Sequence, residues 1–98
     1  MAIDKFRSRV EQWAIKLKVK PTQVRIQDMT RKWGSCSSQG RLTFSRDLLL
    51  KPEGFQDFVI AHELLHLRIR NHGKLFTSTL KAHLRGNTWV ESGAVIEK

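Results

Sequence analysis

Apolar residues at Ile3, Phe6, Val10, Trp13, Ala14 and Leu17 recur at steps of three and four, which predicts an amphipathic helix stopped by Pro21. Lys5, Arg9, Lys16 and Lys20 fall on its wetter sides. Val24–Gln27 and Leu42–Ser45 instead alternate apolar and polar positions, and the turn-rich run Gly34–Gly40 lies between them. Residues 23–46 therefore predict a small antiparallel hairpin or meander. Pro52-Glu53-Gly54 breaks the chain before a strongly apolar helix over about 55–70. Phe55, Phe58, Val59, His62, Leu65, His66 and Ile69 share one side of that helix, and Ile60, Leu64 and Leu67 the other. A helix apolar on both sides belongs in the middle of its domain. Asn71-His72-Gly73 ends it, and a second amphipathic helix follows with Leu75, Phe76, Thr79, Leu80, His83 and Leu84 inward. Gly86-Asn87 closes that helix, and from Thr88 onward no period stands out. The order helix, strands, helix, helix predicts an α+β fold.

Ninety-eight residues suffice for one compact domain over 1–98 but not for two, and such a core leaves an active site only as an open surface cleft. The charge is +9 and uneven: residues 1–50 carry 11 basic and 4 acidic side chains, residues 51–98 carry 7 and 5. A basic N-terminal half attracts polyanions, nucleic acid among them. Cys36 is the sole cysteine, so no intramolecular disulfide forms, and the first twenty residues contain neither a signal peptide nor a membrane span. A cytoplasmic, membrane-free setting is the default expectation.

The chemistry concentrates in His62-Glu63-Leu64-Leu65-His66, an H-E-x-x-H motif inside the predicted central helix. Histidines four residues apart project from one face and can share one ion, and zinc accepts neutral imidazole while keeping a position open. Glu63 stands at the edge of that face, placed to act as general base toward a water. As two core histidines and a surface glutamate, these residues would need further polar partners in an apolar interior. A catalytic zinc needs a third protein ligand. His72, ten residues after His62, gives the spacing of the metzincins, although Ile69 stands where they have glycine and no methionine follows. Glu91, 25 residues after His66, suits zincins that use a later glutamate. His83 shares a stripe with Leu80 and Leu84 that reads as packing. Cys36, without a partner at short spacing, reads as a small packed residue.

Arg31-Lys32-Trp33-Gly34-Ser35-Cys36-Ser37, Gly40, Leu48, the motif 62–67 and Asn71-His72 with Phe76, taken in that order, resemble the YgjP-like metallopeptidase domain, a relative of the SprT-like and WLM zincins. The similarity spans about residues 20–80. Ser45 replaces the family's usual asparagine, Phe58 a common tyrosine, and 73–77 lacks the serine and tryptophan that often flank Phe76. The resemblance implies a compact zincin-like domain, one Zn2+ per chain on His62, His66 and His72, catalysis by Glu63, and a peptide or protein substrate. Zincins align substrate on an edge strand beside the site helix, and Leu42, Thr43 and Phe44 are the expected strand. Two other readings stand beside the peptidase: a nucleic-acid-associated SprT-like module using the basic N-terminal half, and a minimal zinc-binding scaffold with little activity.

Overall fold

The computed structural model describes residues 1–98. Helix α1 runs Ile3–Leu17 and buries Phe6, Val10, Ala14 and Leu17. It ends before Pro21 is reached, because Lys18 takes a left-handed conformation (φ 59°) and its N–H closes onto Ala14 and Ile15. Strands β1 (Gln23–Gln27), β2 (Gly34–Cys36) and β3 (Arg41–Ser45) follow, then a 3₁₀ turn over Arg46–Leu50. Helices α2 (Glu53–Leu65), α3 (Lys74–His83) and the short α4 (Thr88–Glu91) complete the α+β order.

The sheet is mixed rather than antiparallel, with order β1-β3-β2. The antiparallel partner of β3 is β2, inside the run read as turn, with Gly34 opposite Phe44 and Cys36 opposite Leu42. β1 instead pairs parallel to β3, Val24 beside Leu42 and Ile26 beside Phe44. The cause is local: Thr22 N–H donates to Gly40 O at 2.9 Å and its hydroxyl to Gln39 O at 2.9 Å, so β1 starts level with the hairpin turn. It then runs alongside β3, and residues 28–33 cross to the far edge. Alternation of apolar positions reports burial, not strand direction.

β3 therefore lies at the centre, and this corrects the expectation for Leu42, Thr43 and Phe44. Both their backbone edges are already paired, and all three side chains are buried. They belong to the core and offer no edge to a substrate. Phe44 meets Phe6 of α1 edge-on at 5.4 Å.

α2 is buried on both sides, as its composition predicts: Phe55, Phe58, Val59, Ile60, Ala61, Leu64 and Leu65 all join one core cluster. It stops five residues earlier than expected. Beyond Leu65 the N–H groups of Leu67 and Arg68 bond in tighter 3₁₀ fashion to Leu64 and Leu65, so the chain leaves the helix axis there. Arg9 of α1 pairs with Asp57 and Gln56 of α2, locking the two helices together. On α3, Phe76, Leu80 and then Leu84 point inward, whereas Leu75 is 66% exposed and leaves the predicted stripe.

The stretch after Thr88 is ordered. Asn87 caps α4, its side-chain oxygen accepting from Trp89 and Val90 N–H, while its amide donates to Gly54 O at 2.8 Å. Trp89 lies against Gly54, where a Cβ would come within 2.8 Å of its ring. Residues 96–98 then run antiparallel to 31–33, with Lys32 opposite Glu97. No helix is long and apolar enough to cross a membrane.

Candidate metal centre

His62 sits in the last turn of α2, and His66 is the residue that caps it. The 3₁₀ turn after His66 brings the chain back, so that His72 returns over the face that carries the other two. Ligand nitrogens of His62, His66 and His72 all lie within 4.8 Å of one another, and the Nε2 atoms of His66 and His72 are 2.8 Å apart. Zinc held at about 2.1 Å in a tetrahedron separates its ligand nitrogens by roughly 3.4 Å. Small ring movements would therefore let the three nitrogens close on one ion, and the donor set suits a borderline metal.

The rings are oriented from behind. His66 Nδ1 is 3.2 Å from Ile69 O, a bond that fixes its tautomer and leaves Nε2 for a metal. Burial, followed by the neighbouring His62, pushes the His66 imidazole below its ordinary range. Glu63 and the Ile69 carbonyl pull the other way, and His72 adds to the lowering. His66 is thus held in the neutral form that coordinates metal.

Phe76 of α3, which is buried, touches all three rings: centroid distances are 5.0 Å to His62, 4.6 Å to His66 in a stacked arrangement, and 4.9 Å to His72. In the sequence Phe76 is one more apolar position on a helix stripe, and only the family resemblance drew it toward the motif. Phe76→Ala should weaken metal affinity about 10- to 100-fold, the usual effect of losing an outer-shell support. Competition titration against a chromogenic chelator measures this, with circular dichroism checking that α3 remains folded.

Glu63 is almost fully buried, with Oε2 3.2 Å from His62 Nδ1. Gly34 of β2 presses on it: a Cβ there would stand 3.0 Å from Glu63 Cγ, 3.1 Å from Val59 and 3.3 Å from Phe44. This gives the Trp33-Gly34 pair a physical role that spacing alone did not supply. Gly34 lets the strand backbone reach α2 beside the carboxylate, and Trp33 packs edge-on against Phe55 at 5.3 Å.

The histidines and Glu63 open into a cleft of about 620 Å³ that also includes Cys36, Arg70 and residues 94–97. Burial first, then Glu63, raise the Cys36 thiol, and Arg70 opposes them. Glu91 lies on α4 and lines a separate groove with Ser78 and Arg85, away from the histidines. His83 closes α3 and faces another groove, beside Trp13 and Asp57.

Comparisons with known proteins agree with this arrangement. The chain is similar in structure to the metallopeptidase zymogen abylysin of Pyrococcus abyssi, at 20% identity over 90% of each chain with a TM-score of 0.74. It is also similar to the metallopeptidase zymogen jannalysin of Methanocaldococcus jannaschii, at 24% identity over 90% of this chain and 91% of that one, with a TM-score of 0.77. At these identities the likeness is one of fold. No curated protein sequence matches. The family model described as YgjP-like, metallopeptidase domain, matches residues 1–92. With nearly the whole chain inside that match, this protein belongs to the YgjP-like metallopeptidase domain family.

Proposed function

We propose that the chain is a single metallopeptidase-like domain that hydrolyses peptide bonds with one zinc ion, held by His62, His66 and His72. The observation that carries this reading is the convergence of three imidazoles beside a buried carboxylate. Zinc on three protein ligands supplies Lewis acidity and brings the ionisation of a water into the neutral range. Glu63 is the general base: its carboxylate takes the proton of the attacking water and hands it to the leaving amine. Its burial beneath Gly34 holds it in one position, so little ordering is needed at the moment of reaction. Val59 and Phe44 close on the same side of Gly34 as Glu63 does.

An extended substrate pairs with the outer edge of β2 rather than with β3, because β2 is the edge strand next to Glu63. The basic N-terminal half lends less to a nucleic-acid partner than its composition implies. Arg9 is enclosed against Asp57, and Arg46 is paired with Asp28 at the surface.

Zinc stoichiometry after dialysis tests the ligand set. One zinc per chain should be found in the native protein and in Glu91→Ala, and the ion should be lost from His72→Ala. Retention in His72→Ala with loss in Glu91→Ala would replace the third ligand. Absence of zinc from a folded native chain, together with no zinc-dependent cleavage of an unfolded protein substrate, would overturn the reading.

A further inference from the structure

Residues 94–98 lie beyond the stretch that the family model matches, yet residues 94–97 line the cleft of the histidines and Glu63. Residues 96–98 pair with residues 31–33, which lead into the β2 edge, around the single bridge of Lys32 with Glu97. Trp33 N–H donates to Ile96 O at 2.8 Å, and Lys98 N–H donates to Arg31 O at 2.8 Å. Extended past the bridge, that register would bring Val95 level with Gly34 and Ala94 level with Ser35, on the edge beside Glu63. The segment thus follows the path that an extended peptide would take.

Its far end is held unusually well. The Lys98 ammonium donates to Met29 O at 2.5 Å, to Ser45 Oγ at 2.9 Å and to Asp47 Oδ2 at 3.1 Å. It also stands 4.6 Å from the centroid of the Trp33 ring, which Lys51 approaches at 5.2 Å. Three protons meet three acceptors, and Ser45 is fully buried. The Lys98 side chain is only 17% exposed, whereas a lysine on a solvated surface keeps its water. The acceptors converge on a point, which matches a compact ammonium better than the flat fork of arginine.

We propose that the cradle of Met29, Trp33, Ser45 and Asp47 is a recognition subsite for a lysine side chain of the substrate, filled in the resting chain by Lys98. The inference rests on the peptidase reading for its substrate and on the β2 edge for its direction. A peptide running as 94–98 does would place its lysine three or four residues to the C-terminal side of the bond beside Glu63. To bind, it displaces residues 94–98 and supplies the same ammonium.

Fluorescence anisotropy with labelled peptides tests this without requiring turnover. The probes are two decapeptides that differ only in lysine or norleucine at one position. Against the Glu63→Gln, Lys98→Ala chain with zinc present, the lysine peptide should bind at least tenfold more tightly. Adding Asp47→Ala should reduce the preference to about twofold or less, and restoring Lys98 should weaken lysine-peptide binding through competition. Near-UV circular dichroism confirms that each variant is folded. Equal binding of the two peptides by the Lys98→Ala chain, or a preference that survives Asp47→Ala, would overturn the proposal. Lysine-dependent binding without cleavage by the chain that retains Glu63 upholds the subsite and sinks the peptidase reading. Cleavage indifferent to lysine does the reverse.

Discussion

Glu63→Gln should lower peptide hydrolysis by two to four orders of magnitude while leaving about one zinc per chain, as expected when a general base is removed but the ligands are kept. Glutamine has nearly the shape of glutamate, so the seat formed by Gly34, Val59 and Phe44 stays filled. Its amide oxygen still accepts from His62 Nδ1, now 3.2 Å from the carboxylate, but it takes no proton from water. The charge change also has a definite sign at His66. Glu63 raises the His66 pKa, so its neutralisation leaves burial and the other two histidines less opposed. His66 then stays neutral to lower pH than in the native chain. Steady-state cleavage of an unfolded protein, measured beside elemental analysis, separates the two effects. Activity within tenfold of the native chain would assign the base to another group.

Phe44→Ala should cost about 3–5 kcal/mol, the range for emptying a large aromatic site in a core. Phe44 has no exposed surface, meets the Phe6 ring at 5.4 Å and backs the Gly34–Glu63 contact. A domain of this size has about 5–15 kcal/mol in total, so the metal-free variant should be close to unfolding at ambient temperature. Zinc at a thousandfold excess over its Kd returns about 4 kcal/mol if it binds only the folded chain. Thermal melts with and without zinc should therefore show a large rescue in Phe44→Ala. Equal melting temperatures in the two conditions would place the metal outside the folded site.

How far the sequence disclosed this molecule depended on whether the signal was local. The periods of α1 and α2 are local, and both helices form where apolar residues recur at helical steps. The His62-Glu63-His66 constellation was legible for the same reason, since three residues on one helix face need nothing else to be brought together. His72 required a turn geometry that spacing permits but does not dictate, and Glu91 remained its rival until α4 was placed in a separate groove. The strand direction of β1 was not legible, because it depends on Thr22 reaching the hairpin turn at Gly40. Alternation in 41–46 pointed to a strand and the zincin resemblance to an edge strand, whereas pairing on both sides made it the centre. The roles of Gly34, Phe76 and 94–98 arise between distant segments. No window along the chain contains both partners.

The three histidines occupy one short stretch, 62–72, whereas the seat of Glu63 comes from a strand far away in sequence. In folding time these are different events. Closing a small loop at the end of one helix is quick and entropically cheap, and a metal bridging it would reinforce a helix too short to persist alone. Docking β2 onto α2 waits for the hairpin and for the crossing of residues 28–33, contacts of longer separation that form more slowly. The domain would then pass through an interval in which it holds its ion but cannot yet use it. A nascent chain with an immature Glu63 would be protected from its own chemistry until the sheet is in place.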